Sequence, residues 1–203
     1  MQVTPSSLPG VDAYRLLIAC VVPRPIAWVS TVDAEGRANL APFSFFAGVS
    51  SSPPVVMIAV GRSRGRRKDT AANLLATREA VVQIAPRRLA REMVMTSVDA
   101  PPELDEFEFA RLAKAPSVDV RPPRVEGAPI AMECVLHHHL EMGDGPSDVL
   151  FLRIVRFHLS DDVLDADGRP DPVRLDATGR LGADNYCATT DVFAIPRPAR
   201  PAW

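Results

Sequence analysis

Proline occupies 20 of the 203 positions, about twice its usual share of roughly 5%. Each proline lacks a backbone N–H and fixes φ, so it interrupts helix interiors and central strands. The prolines are spread from Pro5 to Pro201. A helical bundle does not fit such a chain. Loops, turns and short strands must carry much of it.

Between the prolines the pattern is mainly strand-like. Ile26 to Val32 is rich in β-branched residues and reads as a strand. Asp33-Ala-Glu-Gly36 reads as a turn, with Gly where a positive φ is expected. Arg37 to Pro42 then returns, making a hairpin. Val55 to Val60 is a continuous apolar run that fits a strand buried on both faces. Glu79 to Ile84 is another strand. Ile130 to Met142 alternates Ile130, Met132, Cys134, Leu136, Leu140 and Met142 with Glu133, His137, His139 and Glu141, the period of a half-buried strand. Val149 to Leu159 pairs with it across Gly143–Pro146. Its first half is apolar on both faces, which a subunit interface would cover.

Three helices are expected. Asp12 to Cys20 has Asp12 as cap and Leu16, Leu17 and Cys20 on one face. Asp69 to Arg78 has Asp69 as candidate cap and Ala71, Leu74 and Leu75 on one face. A third begins at Pro86 and runs to about Met95. A short helical piece is expected around Glu106 to Ala113. Ser44 to Ser52 reads as a polar and aromatic loop. No linker divides the chain, so residues 1–203 are expected as one domain with 1–11 and 195–203 as extended tails. Hairpins with few helices point to a closed antiparallel barrel with helical insertions.

The formal net charge is −2 and the pI about 6.1, so no global basic field recruits nucleic acid. No apolar run approaches the roughly 18 residues of a membrane span. The first ten residues lack a basic segment followed by an apolar one, so no secretory signal is read there. Cys20, Cys134 and Cys187 are odd in number and widely spaced. Reduced, buried thiols in a cytoplasmic protein are expected.

Three constellations could carry chemistry. Gly61 to Lys68, GRSRGRRK, precedes the helix at Asp69-Thr70. A helix start offers unpaired N–H groups and partial positive charge, and Lys68 with Thr70 would complete a phosphate site. Taken alone, such a charge run reads first as a solvated loop. Ser44, Phe45, Phe46 and Ala47 could line a flat ring, or the phenylalanines could belong to the core. His137, His138 and His139 tempt a metal assignment, but no third ligand is fixed by spacing, and a solvated or hydrogen-bonded pair is favoured. His158 is a candidate polar contact on the facing strand. Hydrolase, Walker A and dinucleotide Gly signatures are absent from the sequence.

The ordered pieces PRPIAWVST, NLAPFSFF, SSSPPVVMIAVG, KDTAANLL, DEFEFARL, PPRVEGAPIAMEC, GDGPSDVLFLRIVRFH and GRLGADNY cover nearly everything from Tyr14 to Tyr186. Together they resemble the flavin reductase-like, FMN-binding split-barrel family. The resemblance implies a six-stranded antiparallel Greek-key split barrel and a homodimer with FMN near the subunit interface. It implies that Ser30 and Thr31 contact the flavin or its ribityl-phosphate chain. Asn39 and Ser44–Ala47 would line the isoalloxazine. Lys68 and Thr70, with Asp69 and Asn73, would handle the phosphate, and Arg24 would reach the phosphate or the pyrimidine edge. Arg180 and Tyr186 would lie on the substrate side. The chain departs from the family in carrying Ala183 where a second Gly commonly follows Arg-Leu-Gly. The implied activity is an NAD(P)H-dependent flavin reductase, NADH or NADPH passing hydride to flavin N5, with a monooxygenase as possible partner and no protein catalytic residue. Two alternatives stand beside it, a non-enzymatic FMN-binding electron carrier and an oxidoreductase acting on an unidentified small molecule.

Overall fold

Seven strands share one sheet in the computed structural model, which describes residues 2–101 and 103–198. They are β1 (Ala27–Val32), β2 (Ala38–Phe43), β3 (Phe46–Ser51), β4 (Pro54–Val60), β5 (Glu79–Ile84), β6 (Ile130–Met142) and β7 (Ser147–Leu159). Their spatial order is β2-β1-β5-β6-β7-β4-β3, with every neighbouring pair antiparallel. The two edge strands, β2 and β3, are consecutive in sequence and joined only by Ser44 and Phe45. So short a link brings the edges side by side. The sheet therefore curls into a barrel left unpaired along this seam, a split barrel.

Six of these strands match the expected ones. The seventh, β3, occupies the segment read as a loop. Its residues after Phe46 are all exposed, so it lacks the apolar alternation by which a strand is recognised.

Two apolar clusters hold the barrel. The interior one joins Val29, Ile58, Leu74, Val82, Cys134, Leu150 and Leu152. The other packs Trp28, Leu40, Met93 and Phe107 on the opposite face of β1 and β2. Helices α3 (Ala90–Met95) and α4 (Glu106–Phe109) supply its cover, and the Trp28 indole N–H donates to Thr96 Oγ1 at 2.9 Å.

Four expectations need correction. Helix α1 (Gly10–Cys20) buries none of its residues, Leu17 is half-exposed and Cys20 exposed, so that thiol is not a core group. Pro9 precedes its first turn, and Asp12 lies within that turn rather than capping it. In α2 (Asp69–Thr77) the N-cap is Lys68 and Asp69 is already helical. The extended tail expected over 1–11 instead contains a 3-10 turn at Pro5–Ser7 and the start of α1. At the other end, residues 195–198 are exposed without regular structure, and 199–203 lie outside the described residues.

The clean alternation of β6 also breaks. Leu136 pairs with Leu152, but His138 pairs with Phe151, so His137 is an extra residue in a bulge. One extra residue moves every later side chain to the other face. His139 thus shares the face of Leu150, while Leu140 and Met142 turn outward and are 41% and 60% exposed.

Candidate functional site

A groove of about 680 Å³ runs along β2, within the usual range of about 300–1,000 Å³ for small-molecule sites. Its floor is Asn39, Ala41, Pro42 and Phe43. One wall is the basic loop from Arg62 to Lys68, leading into Asp69 and Thr70 at the start of α2. The other is Thr96–Pro101, with Glu106 below.

Beneath the start of α2 four polar side chains interlock. Asn39 Nδ2 donates to Thr70 Oγ1 at 2.9 Å and to Thr31 Oγ1 at 3.3 Å, and Asn73 Nδ2 donates to Thr31 Oγ1 at 3.1 Å. All four are buried. Because Thr70 Oγ1 accepts from Asn39, its own O–H remains available as a donor. The first N–H groups of α2 also lack intrahelical partners, and the positive end of the helix dipole lies there.

The loop makes a tight turn. Ser63 and Arg66 exchange two backbone hydrogen bonds of 2.9 and 2.8 Å, with Arg64 at φ 48° and Gly65 at φ 78°. Arg64, Arg66 and Lys68 remain exposed along the groove wall. Two carboxyl groups temper this charge. Burial, followed by the charge of Glu103, pushes Asp69 above its ordinary value, against the pull of Arg66. Burial likewise pushes Glu106 up, although it accepts the Leu40 N–H at 3.0 Å.

The expected site residues divide. Asn39, Lys68, Asp69 and Thr70 line the groove, with Thr31 and Asn73 directly behind them. Ser30 does not join Thr31, since neighbouring strand residues face opposite ways. Its hydroxyl donates to Pro123 O at 2.5 Å. Arg24 is buried and donates to Ile18 O, Val21 O, Leu181 O and Ser44 Oγ. It ties α1 to the loop after Arg180 rather than facing the groove. Phe45 and Phe46 are half-buried, Phe46 against the interior cluster, and Ala47 is exposed on β3. Arg180 stacks on the Tyr186 ring at 4.5 Å and donates to its hydroxyl and to Ala183 O, away from the groove. His158 bonds Glu133 Oε1 at 2.6 Å under the 118–120 loop, also away from it.

Pro42, Phe43, Glu106 and the 96–101 wall were not singled out by residue type. Pro42, Phe43 and Glu106 do fall inside the segments NLAPFSFF and DEFEFARL that carry the resemblance. The 96–101 wall has no local signature, because only the fold brings it to β2.

Comparison with known proteins shows the family. The Flavin reductase like domain model matches residues 19–176. An Aquifex aeolicus protein is 38% identical over 87% of this chain and 90% of its own length. The crystal structure of nitrilotriacetate monooxygenase component B from Bacillus cereus superposes with a TM-score of 0.92 at 34% identity, covering 96% of this chain and 98% of that one. Pseudomonas fluorescens 2-nitrobenzoate 2-nitroreductase NbaA gives 0.87 at 32% identity, over 98% and 96% of the two chains. With its barrel, its groove and these matches, the chain belongs to the flavin reductase-like domain family.

Proposed function

We propose that this chain is an NAD(P)H-dependent flavin reductase that holds FMN in the basic groove. The observation that carries this reading is one groove with a cationic end and an apolar floor. Arg66, Lys68, the Thr70 hydroxyl and the first N–H groups of α2 would hold the phosphate. Ala41, Pro42 and Phe43 would lie against the flat part of the molecule. These donors suit a phosphate monoester joined to a planar ring. Bound FMN would supply the hydride-accepting chemistry at its N5. The buried Thr31–Asn39–Thr70–Asn73 network would hold the Thr70 hydroxyl in its donating orientation. No side chain of this chain is assigned a proton transfer.

A homodimer belongs to the same reading. Helix α1 exposes Val11, Tyr14, Leu16 and Leu17, and the β6–β7 hairpin exposes Leu140, Met142 and Phe157. A second copy would cover such apolar surface. The similarity to a monooxygenase component B supports a monooxygenase as the taker of reduced flavin. No helix among the described residues is long and apolar enough to cross a membrane, in keeping with a cytoplasmic protein.

The similarity to a nitroreductase favours a second reading, in which a small organic molecule is reduced directly. Anaerobic mixing with NADH and NADPH separates the cases. Rapid, near-stoichiometric bleaching of the flavin band by either nucleotide, then reoxidation by free flavin, is expected for the reductase. Bleaching reversed only by a nitroaromatic would favour the second reading. No bleaching with either nucleotide, but reduction by a protein donor, would make the chain an electron carrier.

A further inference from the structure

Asp148, the second residue of β7, is fully buried and lies apart from the residues assigned to the phosphate. It gathers three basic side chains. Arg67 Nε donates to its two oxygens at 3.1 and 3.3 Å, Arg62 approaches at 3.5 Å, and His139 Nε2 lies 2.8 Å away. Glu141 takes the other end of Arg67 and sits 3.5 Å from Arg62. Arg62 and Arg67 flank the Ser63–Arg66 turn. One buried carboxylate therefore pins both ends of the loop that carries Arg64, Arg66 and Lys68. The bulge at His137 turns His139 and Glu141 toward the side of Asp148.

His139, Glu141 and Asp148 have ligand atoms within 4.8 Å of one another. That spacing alone could hold a cation. Here Arg62 and Arg67 already engage both carboxylates, so the arrangement is that of a charge-paired clamp.

We infer that Asp148 is a positioning residue: through Arg62 and Arg67 it holds the basic loop in the shape that selects a phosphorylated over an unphosphorylated flavin. This rests on the groove being the phosphate site. Neutralising Asp148 leaves Arg67 held by Glu141, and Arg62 held by Pro146 O at 3.0 Å beside Glu141; the turn between them loses the carboxylate that both arginines share, and the clamp loosens. A role for Asp148 in fold stability alone would leave ligand preference untouched.

The test compares FMN and riboflavin binding by the full chain dialysed free of flavin, using quenching of flavin fluorescence. Asp148→Asn should lower the ratio of FMN to riboflavin affinity by roughly tenfold, the scale of one charge-assisted contact, with riboflavin affinity retained. An unchanged or raised ratio would overturn the inference. Should Asp148→Asn fail to fold, Arg67→Lys decides, since it keeps the charge and loses the two-point contact. The same ratio should fall, and an unchanged ratio overturns the inference. Equal affinity of the wild-type chain for both flavins would instead sink the underlying phosphate assignment. Stoichiometric zinc on untagged wild-type protein, lost in Asp148→Asn, would overturn the clamp in favour of a metal site.

Discussion

At Glu133, burial favours the protonated carboxyl, but His158 and the N–H groups of Val118 and Asp119 outweigh it and hold the group below its ordinary 4.5. Val120 N–H adds a third backbone donor at 3.1 Å. A depressed carboxyl contributes stability above its unfolded value and loses it as the pH falls through the folded one. Glu133→Gln should therefore cost about 2–3 kcal/mol at pH 7, measured by urea unfolding, and the gap from wild type should narrow below pH 4.5. A gap of constant size would contradict this account. His158 reads from the sequence as a site contact because its partner cannot be seen there. Glu133 lies 25 residues earlier, and only the register of β6 on β7 brings the two together. The position of Lys68 and Thr70 on the groove was legible for the opposite reason. Their chemistry depends on a helix start that local residues specify.

Helix α4 and β2 meet through Glu106. The outer edge of β2 would otherwise leave the Leu40 N–H unpaired, and an open strand edge invites foreign pairing. The Glu106 carboxylate accepts that N–H. Its raised proton affinity means that stability from this group is fully present below its ordinary 4.5 and is lost as pH rises through the higher folded value. Glu106→Gln keeps the acceptor and removes this loss, so it should stay within about 1 kcal/mol of wild type at pH 7. Glu106→Ala should cost about 1–3 kcal/mol, because it orphans the N–H. Equal costs for both variants in urea unfolding would contradict the edge-capping role. At this scale six of the seven strand positions were legible, while β3 and the register breaks were not. The bulge at His137 leaves no mark in residue type, because His-His-His offers no apolar phase to slip.

Across the whole molecule, the two-residue link at Ser44-Phe45 sets the architecture by joining the sheet's edges into a seam. The groove lies along β2, the edge strand on one side of that seam. The apolar residues on α1 and on the outer face of β6–β7 belong to this scale too, since no packing within the described chain covers them. Sedimentation velocity should give a dimer, and Leu17→Glu combined with Leu140→Glu should shift it toward monomer with the far-UV spectrum kept. A wild-type monomer at tens of micromolar (on the order of 10⁻⁵ M, far above the roughly 10⁻⁶–10⁻⁹ M Kd of a typical stable interface) would contradict the dimer. The apolar-on-both-faces pattern at Val149 predicts an interface, and α1 reads as a core helix although its apolar residues are exposed, because amphipathic spacing does not say which body covers the apolar face.

The central claim is that the groove recognises a flavin by its phosphate. Isothermal titration of the flavin-free chain with FMN and with riboflavin tests it most directly, in wild type and in the Lys68→Ala, Thr70→Ala double variant. Wild type should bind FMN at least about tenfold more tightly, the value of one charge-assisted contact. The double variant should lose most of that difference while its riboflavin affinity holds. Equal binding of the two flavins by wild type, or equal losses for both in the variant, would contradict the claim.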